Sequence, residues 1–270
     1  MSRHASGVTY NVPPDPFPST LNSGDVLNVS GPATPPGGFS TAPNSRVNVL
    51  SGGDLAALFT TGANVYFYPG SRVGLLGITG GSLFSDGGNL SGISNIGSGA
   101  YAEILGGEVK GFFGGMATID FRGGNLSGID YTGTTFNLFG GAILPGGTQF
   151  RDSVLNVRGG SIANGPTNGF GMERGEFHFY MRNALLNGAP IPGLVMGGTA
   201  TIPGRNVTLS GQLENGTALN YVIRARNALV GISTQTTVKV TLVPESACQS
   251  LVFVACTMLS VGWRKSKFRF

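Results

Sequence analysis

The sequence predicts an all-β protein, a single-stranded parallel β-helix or β-solenoid with about 17–19 residues per coil. Three observations predict it. A phrase of alternating apolar residues closed by glycine recurs from residue 47 onward, as in Val47-Asn48-Val49-Leu50-Ser51-Gly52-Gly53, Ile119-Asp120-Phe121-Arg122-Gly123-Gly124 and Leu155-Asn156-Val157-Arg158-Gly159-Gly160. The leading glycines stand at 52, 70, 87, 106, 123, 140 and 159, at intervals of 18, 17, 19, 17, 17 and 19 residues. Gly-Gly-Asn-Leu-Ser-Gly-Ile also recurs unchanged at 87–93 and 123–129. A fixed period this short is the mark of a stacked repeat, too short for helix pairs or propeller blades. Alternation with period two inside each phrase selects strand over helix.

The elements follow in order. Residues 1–46 are rich in proline and polar turns, carry one strand at Val26–Val29, and read as an N-terminal tail and cap. Residues 47–170 hold the regular repeats. Beyond them the period fades, but Phe177-His178-Phe179-Tyr180-Met181, Val207-Thr208-Leu209, Tyr221-Val222-Ile223 and Val238-Lys239-Val240-Thr241-Leu242 still alternate. Residues 171–242 are therefore expected to form irregular coils or a β cap, because an open end exposes apolar side chains and strand edges. Within them Leu213-Glu214-Asn215-Gly216-Thr217 carries the Asn-Gly signal of a hairpin turn.

Residues 243–270 differ in kind. Val243-Pro244-Glu245 precedes an uncharged apolar run over 247–263, which is followed by Arg264, Lys265, Lys267 and Arg269. A run of this length suits a transmembrane helix, and its basic flank favours the cytoplasmic side, which places the body outside. Export then needs an N-terminal signal. Residues 1–7 hold no apolar core and Val12-Pro13-Pro14-Asp15-Pro16 cannot supply one, so the signal is expected upstream of Met1. The net charge of +4 resides largely in this tail, leaving a near-neutral body without the footprint of a nucleic-acid binder. Both cysteines, Cys248 and Cys256, lie in the apolar run, so the body has no disulfide and no thiolate chemistry.

The tail resembles a PEP-CTERM sorting signal, the surface-targeting tail of bacteria that possess exosortase. Val243, Pro244 and Glu245 match its recognition motif, the apolar run its membrane segment, and Arg264, Lys265, Lys267 and Arg269 its basic end. The body, with Asn11-Val12-Pro13-Pro14 near its start and its Gly-Gly phrases, is similar to glycine-rich planctomycete surface proteins read as β-solenoids. The resemblance implies an exosortase-type processing partner acting near Pro244 and Glu245, with an inner-membrane intermediate on the way to the cell surface or extracellular matrix.

Candidate chemistry is sparse. Aligning coils three residues before Gly-Gly gives the column Glu103, Asp120, Asn137, Asn156, whose apolar neighbours turn inward, so the column should form an outer polar ladder. Glu103 and Asp120 would lie about one strand spacing apart, close enough for coupled carboxylates or a calcium site. Arg122 and Arg158 share that face and would compensate the acids. Glu176 and His178 form a second acid–imidazole pair on one strand face. No zinc spacing, phosphate loop or serine elbow is present in the sequence, and no metal or cofactor is expected. The expectation is a non-enzymatic, exported structural or adhesive protein whose rod contacts exopolysaccharide or other surface proteins. The alternatives are a carbohydrate-active β-helix enzyme, a lyase or hydrolase using Glu103/Asp120 or Glu176/His178, and a plain single-span membrane protein.

Overall fold

The computed structural model describes residues 7–128, 130–163, 170–226 and 231–245. Among them there is no helix, and so none long and apolar enough to cross a membrane. The apolar run and basic flank of the tail lie outside the described residues.

The chain winds into a parallel β-solenoid with three strand-bearing faces per coil. The first face stacks Thr9–Val12, Val26–Val29, Arg46–Val49, Asn64–Phe67, the starts of Ser82–Ile96 and Tyr101–Gly115, then Thr118–Phe121, Thr135–Leu138, Ser153–Val157, Gly175–Leu186 and Thr236–Leu242. Successive register positions Thr9, Val26, Arg46, Asn64, Ser82, Tyr101, Thr118, Thr135, Val154 and Glu176 are 17, 20, 18, 18, 19, 17, 17, 19 and 22 residues apart. The second face is short, running from Pro32–Ala33 through Asn125–Ser127 to Ser161–Ile162. The third includes Asp130–Thr132, Gln149–Arg151 and Gly171–Met172.

Alternation decides what the coil encloses. On the first face Leu27, Val47, Val65, Leu83, Ala102, Ile119, Phe136, Leu155, Phe177 and Val238 turn inward and are fully buried, as do Val73, Leu90, Val109 and Leu126 on the second. The core grows aromatic toward the C-terminus, where Tyr131 packs 5.8 Å from Phe150, Phe150 5.6 Å from Phe170, and Phe170 5.2 Å from Phe177. Each fully buried side chain of this size contributes about 1.5–3 kcal/mol over its exposed state.

Two features mark the turns. Leu105 is an added residue at its corner: Ser85 pairs with Ile104, but Asp86 pairs with Gly106. The offset between these coils is 19 before the corner, at Ser82 and Tyr101, and 19 again after it, at Asn89 and Glu108, so the extra residue is absorbed within the corner itself. A second corner, two residues before most first-face strands, places one residue in the left-handed region. Asn44, Met116 and Asp152 adopt φ of 63°, 56° and 48° there, and glycine takes the equivalent place in Gly24, Gly62, Gly99 and Gly133.

The segment expected to be tail and cap instead carries coils. Thr9–Val12 pairs with Val26–Val29 and that strand with Arg46–Val49. Their corners use Pro13-Pro14 and Ser30-Gly31-Pro32 rather than Gly-Gly, so the glycine marker does not register them. The terminal strand edge is blunted by its own loop, since Asn11 N–H donates to the Asp15 carboxylate at 2.9 Å and Asp15 N–H donates to Asn11 O at 2.8 Å. At the other end, 182–226 leaves the coil and forms the cap, and Gly231–Ile232 rejoins it parallel to Gly171–Met172 on the third face. Val207–Leu213 and Ala218–Ile223 make an antiparallel hairpin laid on Gly175–Leu186, and the chain returns at Thr236–Leu242 as a final coil strand. The Asn215-Gly216 turn sits where expected, closed by Gly216 N–H to Leu213 O at 2.8 Å.

Candidate functional site

The first face carries the predicted ladder. Glu103, Asp120, Asn137 and Asn156 occupy consecutive register positions on four coils, all pointing out of the core. The column runs further than those four, from Asn11 through Asn28, Asn48, Tyr66 and Phe84 into Glu103, and from Asn156 to His178 and Lys239. Parallel strands in register place identical side chains one coil apart, so each asparagine amide can donate to the next carbonyl. Asn28 Nδ2 donates to Asn11 Oδ1, Asn48 Nδ2 to Asn28 Oδ1, and Asn156 Nδ2 to Asn137 Oδ1, each at 2.8 Å.

The acids sit inside this network. Arg122 Nε donates to Glu103 Oε1 at 2.6 Å, and its terminal nitrogen reaches Asp120 Oδ2 at 3.3 Å. Asn137 Nδ2 donates to Asp120 Oδ1 at 2.8 Å and the Tyr101 hydroxyl to Asp120 Oδ2 at 3.1 Å. Partial burial, then the charge of Asp120, pushes the Tyr101 phenol above its usual range, and the hydrogen bond to Glu103 does the same for Arg122. The guanidinium also lies 4.4 Å over the Phe139 ring. One arginine thus bridges both carboxylates, the compensation foreseen for the ladder. Among the described residues, no three or more His, Cys, Asp or Glu gather as a metal site.

The second pair, Glu176 and His178, stands where that ladder meets the final coil. His178 Nδ1 is 3.3 Å from Glu176 Oε1, and Nε2 is 2.7 Å from the Thr241 hydroxyl. Lys239 also holds Glu176. Burial lowers the His178 pKa, with the Glu176 carboxylate opposing. A neutral imidazole donating from Nδ1 and accepting at Nε2 satisfies both contacts. Its ring stacks 4.2 Å from Tyr180, whose other neighbour is Arg158, 3.7 Å above the ring. Arg158 in turn donates to Glu214 at 2.6 Å, tying the ladder to the cap.

The aromatic members of this face are covered as well. Tyr66 lies between the Arg46 guanidinium at 4.1 Å and the Phe84 ring at 5.0 Å, stacked within 11°. Arg46 Nε also donates to Asn48 Oδ1 at 2.7 Å. The expectation missed this N-terminal half, although the triplets Tyr10-Asn11-Val12, Leu27-Asn28-Val29 and Val47-Asn48-Val49 repeat the pattern of Leu155-Asn156-Val157.

Val243, Pro244 and Glu245 lie where the chain leaves the cap. Val243 N–H donates to Met181 O at 2.8 Å, while Pro244 and Glu245 are exposed, with Glu245 at 3.9 Å from Arg182. Arg264, Lys265, Lys267 and Arg269 lie outside the described residues. The chain matches no protein-family model, no curated protein and no solved structure.

Proposed function

We propose that this protein is a non-enzymatic structural or adhesive component of the cell surface or extracellular matrix, delivered there by its C-terminal tail. The observation that carries the reading is the outward face of the first sheet, where donors, acceptors and ring faces are engaged by one another from Asn11 to Lys239. Such a face stiffens the rod, since its side chains bind neighbouring coils along Asn11–Asn28–Asn48, between Tyr66 and Phe84, along Glu103–Asp120–Asn137–Asn156 and between Glu176 and Lys239. Resistance without disulfides suits a body whose only cysteines lie in the tail. The tail supports the destination: Val243, Pro244 and Glu245 follow the last described strand, Thr236–Leu242, immediately, so a processing enzyme could reach them without unfolding the cap. The membrane segment, the exosortase-type partner and the final surface location belong to this proposal.

Mass spectrometry of both termini, in membrane and extracellular fractions, tests it. A chain ending near Pro244 and Glu245 outside the cell supports sorting. An intact Phe270 held in the membrane leaves the single-span reading in its place, and an intact chain inside the cell overturns export.

The register pairing of Glu103 with Asp120 is the one observation favouring a glycan-cleaving enzyme. Glycan cleavage by the wild type, lost in Glu103→Gln or Asp120→Asn with the fold retained, would establish that reading instead. The same loss in Glu176→Gln would place catalysis at the His178 pair.

A further inference from the structure

The ladder face is closed, but an open groove lies around the corner, where strand Asp54–Thr61 meets the loop over 34–39. Phe59 is its centre. This side chain is 60% exposed, the most exposed among the aromatic side chains described. Its column continues as Gly77 and then Asn95 in the next two coils. Gly77 leaves the ring room to lie down: a Cβ at that position would meet Phe59 Cδ1 at 2.5 Å and Cε1 at 3.0 Å. The ring therefore rests across a glycine with its other side toward solvent, and an asparagine amide follows one coil beyond.

The two flanks differ. On one side Pro35, Pro36, Phe39 and Ala56 form an apolar trough of about 260 Å³, its wall pinned where Phe39 meets Phe17 edge-on at 5.0 Å. On the other side Thr61, Thr79 and Asn95 border a groove of about 320 Å³. Thr61 and Thr79 are register partners on adjacent coils, and both are exposed. No Lys, Arg, Asp, Glu or His lines either groove.

We propose that this groove binds a neutral polysaccharide, with one sugar ring seated on Phe59 and its hydroxyls held by Asn95, Thr79 and Thr61. The match is chemical. A pyranose presents an apolar C–H face and a rim of hydroxyls, and the groove offers one open ring bordered by uncharged hydroxyl and amide groups. An anionic glycan would find no cation to meet its charge. A polar chain lying along the rod axis meets hydroxyls repeated at the coil spacing of about 4.8 Å. The inference rests on the surface-protein reading and supplies the ligand class that reading lacks.

Affinity electrophoresis of the full chain through gels containing dextran, mannan or xylan tests it, with alginate as the anionic control. Retardation by a neutral glycan is expected, weakened about tenfold in Phe59→Ala, the scale of one aromatic contact. Gly77→Ala, which tips the ring while keeping it, should weaken retardation too, whereas Arg122→Gln on the ladder face should not. Unchanged melting of the Phe59→Ala protein verifies folding. Retardation equal in wild type and Phe59→Ala overturns the site, as does none with any neutral glycan or retardation by alginate alone. Self-association abolished by Phe59→Ala, without glycan binding, would assign the groove to a second copy of the chain. Termini processed outside the cell alongside such a failure would retain the surface reading and reject only this ligand.

Discussion

Single residues show where the repeat is under stress. Met116 holds φ of 56° at a corner where its counterparts Gly99 and Gly133 are glycine. An L side chain in this region costs about 1–2 kcal/mol, while glycine adopts it freely but loses more entropy on folding. Met116 is 67% exposed, so little packing is lost by removing it. Met116→Gly should raise stability by about 1 kcal/mol, read as a higher denaturant midpoint with an unchanged slope. His178 carries a pH dependence with a definite sign. Its folded pKa lies below the ordinary 6.5, chiefly through burial, so the unfolded chain binds the extra proton first. Stability should be complete above about pH 6.5 and fall as the pH drops from there toward the folded value. Melting temperatures from pH 8 to 5 should show the decline in the wild type and a shallower one in His178→Gln.

At the scale of the element, the corners hold the rod together more narrowly than the strands do. Gly124 adopts φ of +86°, and a Cβ there would lie 2.3 Å from Gly107 O on the coil below. Backbone cannot yield as a side-chain tip would, so Gly124→Ala should cost about 2–4 kcal/mol. Gly37, in the exposed loop over 34–39, has nothing within 4 Å of its Cβ position, and Gly37→Ala should stay within about 0.5 kcal/mol of wild type. Paired denaturation curves would separate coil contact from glycine content as such. The strands tolerate more variety, since their outward positions accept Asn, Tyr, Phe, Glu and Asp in one column.

For the whole molecule, the coils are interchangeable units and the cap is not. Ala117 and Thr134 occupy the same corner position before Thr118–Phe121 and Thr135–Leu138. Excising 118–134 joins Ala117 to Thr135 in register and should leave a shorter, strand-rich rod that unfolds cooperatively by circular dichroism. Removing 207–223, whose ends lie side by side with Asn206 N–H donating to Ile223 O at 2.6 Å, strips the hairpin from the terminal coil and uncovers Phe177 and Phe179, which Tyr221 covers at 5.7 and 5.9 Å. That variant should aggregate in size-exclusion chromatography, because it presents an apolar end and an unprotected edge.

The sequence by itself determined the class of fold, the coil length, the inward and outward sides of each phrase, the ladder Glu103–Asp120–Asn137–Asn156 and the Asn215-Gly216 turn. These are local quantities: alternation and glycine spacing act within one coil, and stacking repeats them. The first two coils escaped notice because proline and serine corners stand where Gly-Gly does elsewhere, although the apolar-Asn-Val triplets were legible. Tertiary structure alone decided the rest. That Arg122 bridges both acids while Arg158 turns to Glu214 and Tyr180 instead, that Arg46 and Phe84 cover Tyr66, and that Phe59 lies across Gly77 beside Asn95 all depend on which residues become neighbours in the stacked coils. No spacing along the chain reveals such contacts, because each depends on a side chain's rotamer and on the space its neighbour leaves, and both are settled only once the coils are stacked.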